Sequence, residues 1–566
     1  MKRILLFSVL SLLSFSWTMA QSPKWVKKAR KAVFSIITYN DKDEILRTGN
    51  GFFVDSKGVG VSQYALFEGA QRATIVDADG KGFEVEAIMG VDDLYDVIKF
   101  KVAVDKSVEA LVVNEKKLNA GDAVYLLGYA TQQKEETIAG TIKEVSRIGD
   151  YNYYTLNLPL KDKMVSCPIM NQNGEVVGLS QEAIGEEATS ISYAVDTNYI
   201  IAQSIGALSF NDLSLKKIGI KKALPDTEEE ALVFLFIVSS QIQGEEYLSL
   251  LNDFIQKFPT NPEGYVRKAS YYAFNDINDE ANLKEAKDIM AKAVNVATDK
   301  SEVYYSYAKL IYNYNLVQAN EKPKGWALTD ALELIDRGLE INNLSIYLQL
   351  KGDIYFADAK YQEAFDIYQQ INNSNEATSS SYYSAAKSKE LLGAQPEELV
   401  VFLDSCIAHV SERPTEEEAT YYLERAHVYS ILNRHRDALK DYDTFYDVMG
   451  GRVNDVFYYL RGQVARDSKL FQKALNDFSE AILISPDEVV YHIELGATNL
   501  RVGRNDEAEK IFKEAIKIDP TYAESYRLLG VTQIQLKNNS EACISFNKAK
   551  ELNDPLVDDL IQKYCK

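Results

Sequence analysis

The chain has 566 residues, 46% of them hydrophobic and 26% charged, with 83 acidic against 62 basic side chains and a formal net charge of −21. That length exceeds a single compact core, and that apolar content argues against a disordered chain. No basic footprint dominates, so the counterion displacement that drives general nucleic-acid binding has no source here.

At the N-terminus, Lys2 and Arg3 precede an apolar stretch from Ile4 to Trp17, and Thr18-Met19-Ala20 before Gln21 forms a small-residue cleavage site. The pattern predicts a signal peptide over residues 1–20 and an exported, periplasmic protein. Further on, the apolar run Ala231 to Val238 is too short to cross a bilayer, so no transmembrane segment is expected in the mature chain.

Residues 24–205 predict an all-β domain. Short runs such as Ala32 to Ile37 and Gly51 to Val54 are separated by turn sequences: Asp55-Ser56-Lys57-Gly58, Asp77-Ala78-Asp79-Gly80 and Asn171-Gln172-Asn173-Gly174. Residues 206–230 then read as a polar linker, with paired lysines, Pro225 and the run Glu228-Glu229-Glu230. From residue 231 to 566 the apolar period becomes helical.

The helical part repeats itself. Gly462, Gly496 and Gly530 recur at a period of 34, as do Ala474, Ala508 and Ala542, and Phe478, Phe512 and Phe546. Pro486 and Pro520 keep the period, and Pro555 falls one residue late. This pattern resembles the tetratricopeptide repeat, in which a small residue on the first helix and an aromatic on the second let two helices pack closely. Looser copies lie upstream, marked by Gly352, Tyr355, Ala364 and Tyr368, by Ala426, Ala438 and Tyr442, by Ala269, Ala286 and Ala293, and by Ala308 and Ala331 with an insertion from Asn320 to Trp326. About eight or nine units are expected, stacked as an all-α superhelical solenoid. Its groove would be lined by the first helix of each unit, which selects Tyr459, Gln463, Arg466, Arg501, Arg527 and Gln535 as candidate partner-binding residues.

In the β region, Gly49 to Asp55, Glu68-Gly69-Ala70, Asp96 to Val102, Gly121 to Gly128, Pro168-Ile169, Asn173 to Leu179 and Ser192 to Val195 follow one another in the order and spacing of a known family. The domain resembles the HtrA-type, trypsin-like serine proteases. The resemblance implies a double β-barrel and a Ser-His-Asp triad, and the residues at the three triad positions are Ala65, Asp96 and Val165. Only the aspartate is retained. No histidine precedes His409, so the imidazole that would accept the serine proton is missing from the domain. Where the family carries two glycines after the serine, this chain has Ser166 and Cys167, whose β-carbons are expected to restrict the turn that forms the oxyanion hole.

The four cysteines, Cys167, Cys406, Cys543 and Cys565, have no metal-ligand spacing. Cys167 reads as a small buried residue, and Cys543 and Cys565 meet if the last helix folds back. His492 is expected to pack between two repeat helices. No phosphate-binding loop, dinucleotide fingerprint or zinc motif occurs, so no cofactor or metal is expected. Two functional readings stand. The first is a non-enzymatic scaffold that binds protein or peptide partners through the repeat groove, within an envelope assembly or secretion complex. The second is a periplasmic peptidase or quality-control enzyme with atypical catalytic residues.

Overall fold

The computed structural model describes residues 24–129, 137–161, 163–183, 185, 189–276, 279–317 and 325–565. The signal peptide expected at 1–20 and the insertion from Asn320, up to residue 324, lie outside them. The chain divides into two compact units, Met1–Gly264 and Tyr265–Lys566.

In the first unit, α1 (Val26–Ala29) leads into β1 (Val33–Tyr39), β2 (Ile45–Phe53), β3 (Val59–Ser62), β4 (Arg72–Val76), β5 (Gly82–Asp92) and β6 (Val97–Val102). These strands close a barrel in the order β1-β2-β3-β6-β5-β4, with Ser35 of β1 opposite Val76 of β4. Inward-facing aromatics fill it: Phe34 lies 4.6 Å from Phe53 and 6.1 Å from Phe100, and Phe67 lies 5.1 Å from Phe100. The second barrel comprises β8 (Ala123–Leu127), β9 (Thr137–Ile148), β10 (Tyr151–Leu156), β11 (Pro168–Met170), β12 (Glu175–Glu182) and β13 (Ser192–Asp196), with the short β7 (Val112–Val113) outside it, parallel to β12. Pairing of β11 with both β8 and β12 closes six strands. The expected double barrel is therefore present.

The turn sequences act as local hydrogen-bonding devices. Asp55 Oδ1 accepts the N–H groups of Lys57 and Val59, and Asp77 Oδ1 accepts those of Asp79 and Lys81. Gly58 and Gly80 sit at φ 92° and 82°, a conformation that a β-carbon disfavours. Asn171 Oδ1 repeats the bonding with Asn173 and Glu175.

Residues 206–230, read from sequence as a linker, are folded onto the first barrel. The Gly69 and Ile88 N–H groups donate to the Lys217 and Lys221 carbonyls, and Gly219 and Ala223 donate back to Ala70 and Ile88. Leu215, Ile218, Ile220 and Leu224 are buried. The apolar residues lie singly among lysines, which hides a packed edge from a composition reading. After α2 (Thr197–Ala202) and α3 (Leu213–Lys216), α4 (Glu228–Val238) and α5 (Gly244–Lys257) also belong to this unit. The division falls in α6 (Pro262–Asn275) instead of at residue 230.

The second unit is helical: α7 (Glu280–Val296), α8 (Lys300–Val317), α9 (Leu328–Ile341), α10 (Ser345–Ala357), α11 (Tyr361–Asn372), α12 (Ser379–Leu391), α13 (Pro396–Ala408), α14 (Glu416–Ile431), α15 (His435–Val448), α16 (Asp455–Asp467), α17 (Phe471–Ile484), α18 (Val489–Arg501), α19 (Asn505–Ile518), α20 (Ala523–Gln535), α21 (Asn539–Glu551) and α22 (Asp558–Tyr564). From α8 they pair in succession, and each pair packs on the next. The periodic residues explain the pairing. A β-carbon on Gly462 would stand 2.7 Å from the Phe478 ring, and one on Gly496 or Gly530 would stand 2.5 Å from Phe512 or Phe546. The three rings are fully buried. First helices end in a left-handed residue at the same period, Lys469, Gly503 and Lys537. At the C-terminus a Cys543–Cys565 disulfide, with Cα atoms 5.5 Å apart, ties the end of α22 to α21.

Candidate functional site

A cleft of about 600 Å³ opens where loops of the two barrels face each other. The first barrel supplies Gln63, from the turn after β3, and Leu94, Tyr95 and Asp96, from the β5–β6 turn; the second supplies Tyr153 of β10, Val165 of the β10–β11 loop, and Gln181 and Glu182 of β12. Asp96 and Val165 thus share one cleft. Ala65 joins them through its backbone, whose N–H donates to Asp96 Oδ1 at 2.7 Å. Burial raises the Asp96 pKa above the ordinary carboxylate value, and the N–H groups of Ala65 and Tyr64 oppose that rise.

The β10–β11 loop is held from both barrels. Asn50 Nδ2 of β2 donates to the carbonyls of Lys163 (2.8 Å) and Val165 (3.1 Å). The Ser166 hydroxyl donates to Gln63 Oε1 at 2.6 Å. Ser166 takes φ 63° despite its β-carbon, so the side chain does not prevent the left-handed turn. The N–H groups of Ser166 and Cys167 instead donate to the carbonyl (2.9 Å) and hydroxyl (3.0 Å) of Ser180, and so are engaged inside the barrel. Cys167 lies in the core of the second barrel, fully buried, and burial pushes its thiol up to about 12. Asn50, Gln63 and Ser180 are the residues the sequence reading passed over. Asn50 lies inside a motif stretch, but nothing in its spacing gives its partners.

Among the groove candidates, Tyr459, Gln463 and Arg466 of α16 come together on α18. Gln463 Nε2 donates to the Tyr459 hydroxyl and to Glu494 Oε1, both at 2.9 Å, and Arg466 pairs with Glu494. The Tyr459 ring lies 5.1 Å from the Tyr491 ring, tilted 39° to it. Arg501 and Gln535 are exposed at the ends of α18 and α20. Arg527 is engaged elsewhere: it pairs with Glu524 (2.6 Å) and with the buried Asp554 beyond α21 (2.9 Å). His492 is only half-buried, and its Nε2 lies 2.9 Å from the Pro486 carbonyl instead of in the helix interface.

Comparison with known proteins bears on both units. The trypsin-like peptidase domain family matches residues 49–179, and the tetratricopeptide repeat family matches residues 491–522 and 523–555. The chain joins a trypsin-like peptidase domain to tetratricopeptide repeats. The serine endoprotease DegS of Haemophilus influenzae is 23% identical over 219 residues, 35% of this chain and 62% of that protein. The anti-sigma-I factor RsgI9 of Acetivibrio thermocellus is 21% identical over 309 residues, 54% of this chain and 43% of that protein. The match thus spans less than two thirds of either relative. Among the described residues, no helix is long and apolar enough to cross a membrane, and no cluster of His, Cys, Asp and Glu is arranged to hold a metal ion.

Proposed function

We propose that this protein is an exported, non-enzymatic scaffold. Its repeats hold protein or peptide partners of an envelope assembly or secretion complex, and its peptidase-like domain is a second interaction surface. One observation carries the reading: the Asp96 carboxylate, which in an active triad would orient an imidazole, is bonded to the main chain of an alanine, with Val165 in the same cleft. Neither position supplies a proton acceptor or a nucleophile. The neighbouring groups do not replace them. Ser166 donates to an amide oxygen, which is no base, and the Cys167 thiol is buried in its protonated form. The Cys543–Cys565 disulfide fits an oxidising compartment such as the periplasm.

The test has two arms. The purified mature chain is incubated with casein, with fluorogenic peptides and with a serine-reactive fluorophosphonate; neither turnover nor labelling above a heat-denatured control is expected. Turnover abolished by Ser166→Ala or Cys167→Ala would establish the peptidase reading instead. In the second arm, tagged protein is cross-linked in its own envelope, and a stoichiometric partner is expected that is lost when residues 265–566 are deleted.

A further inference from the structure

A second cavity lies apart from the cleft, within the first unit, and nothing in the family resemblance accounts for it. It has a volume of about 450 Å³, within the range of small-molecule sites. Its walls come from the segment after the second barrel: Ile205, Phe210, Ile220, Phe234 of α4 and Leu250 of α5. Phe210 and Phe234 meet edge to face, with centroids 6.4 Å apart. The lining is mostly apolar, with Lys216, Lys221, Lys222 and Glu246 as its charged members.

The lysines there differ in how they are used. Lys221 is paired with Asp253 and reaches the Ser249 hydroxyl. Lys216 contacts Asn211 and stands over the Phe210 ring. Lys222 is half-buried. Its ammonium donates to the Ile218 carbonyl, and among the described residues no carboxylate comes within ion-pairing distance of it. Burial lowers its pKa, and Glu246, the one acidic residue on the lining, acts on it only from a distance. An ammonium has three donors. One is used here, which leaves two for an incoming acceptor. A half-buried cation beside an apolar chamber is complementary to one kind of molecule, a body without polar groups that ends in an anion.

We infer that this cavity is a binding site for a free amphipathic carboxylate, with the acyl body among Phe210, Phe234 and Leu250 and the carboxylate on Lys222. The site is independent of the scaffold reading, because it shares no residue with the Asp96 cleft or the repeat groove.

The test uses the whole mature chain and dansyl-undecanoate as a fluorescent probe. Saturable binding of one probe per chain is expected, with displacement by decanoate and much weaker displacement by decanol. Lys222→Gln should weaken the probe about tenfold and leave decanol unchanged, as expected for one lost charge-assisted contact. Ser249→Trp, at an exposed position on the rim, should block both ligands while the thermal melt stays that of the wild type. The inference is overturned by the absence of saturable binding, by equal competition from decanol, or by full affinity in Lys222→Gln. Two further results would also overturn it, in favour of another class of ligand. One is stronger competition from an apolar peptide with a free C-terminus, and the other is stronger competition from phosphatidylglycerol vesicles.

Discussion

Asp96 Oδ1 and the Ala65 N–H are 2.7 Å apart, and with the Tyr64 N–H this is what the Asp96 carboxylate holds. Asp96 itself sits at φ 51°, a left-handed conformation that Asn and Asp tolerate best among residues with a β-carbon. The carboxylate thereby ties the turn after β3 to the start of β6.

That geometry sets the sign of its pH dependence. Burial raises the folded-state pKa of Asp96, so the folded chain binds its proton more tightly than the unfolded chain does. The stabilising contribution is complete below the unfolded pKa and is lost as pH rises through the folded one. Asp96→Asn keeps the acceptor and the backbone preference but removes the charge. At pH 7 the variant is expected to be as stable as the wild type or more so. The difference should vanish below pH 4. Denaturant unfolding followed by Trp25 fluorescence in a Trp326→Phe background checks it, and a variant markedly weaker at pH 7 would mean that the charge itself is needed.

Much of this was legible in the chain, for reasons that differ by region. Gly496 and Phe512 could be paired from sequence because their contact is local and recurs at a fixed period. Ala65, Asp96 and Val165 stand in or close to ordered motifs, although remote segments had to fold before Asp96 and Val165 could share a cleft. The rest of that cleft was not legible: Tyr153 and Gln181 arrive through long-range strand pairing, and their hydrogen bond (3.1 Å) has no local signature. The same holds for Arg527, a groove candidate by register, whose buried partner Asp554 lies beyond the next helix. The linker expectation at 206–230 failed because single apolar residues between lysines give no run or period, yet each one docks on the barrel.

Gly496→Ala sets two effects against each other. Alanine favours the helix by about 1 kcal/mol. Its β-carbon, however, would stand 2.5 Å from the Phe512 ring, and overpacking in a filled core costs about 1–3 kcal/mol. The packing term should win, so amide exchange in α18 and α19 is expected to speed up. The double variant Gly496→Ala/Phe512→Leu should return most of the protection, whereas a single variant as protected as the wild type would mean that the ring moves aside freely.

Arg425–Asp441 and Arg461–Asp477 are bidentate pairs on buried aspartates at matching places in successive repeats, with N–O distances of 2.7–3.0 Å. One period further on, Leu495 and Ile511 occupy these positions. The chain therefore contains its own apolar alternative. Arg461→Met alone strands the Asp477 carboxylate and should cost about 3–5 kcal/mol. Arg461→Leu/Asp477→Ile should recover most of that loss. A deficit of about 1 kcal/mol should remain from the lost contact of the guanidinium with the Tyr446 ring, 4.6 Å away. Denaturant unfolding of the two variants in parallel gives the comparison; equal losses would assign the pair a net stabilising role that its apolar counterpart cannot fill.

The Cys543–Cys565 disulfide ties α22 back onto α21. Val557 is fully buried, Tyr564 lies over Phe546 at 6.5 Å, and Asp554 holds Arg527, so the segment is packed as well as cross-linked. A cross-link over 22 residues of separation restricts the unfolded chain by about 3 kcal/mol. Alkylation of the denatured, unreduced protein should therefore label only Cys167 and Cys406, and reduction should expose all four thiols. Cys565→Ser should speed amide exchange in α22 and the end of α21 while leaving α16 to α18 unchanged, since stacked repeats pass stability mainly to their neighbours. Protein produced without residues 1–20 in a reducing cytosol should show four free thiols and the exchange pattern of the variant. Protection of α22 that survives reduction would mean that the packing of Val557 and Tyr564 alone holds the cap.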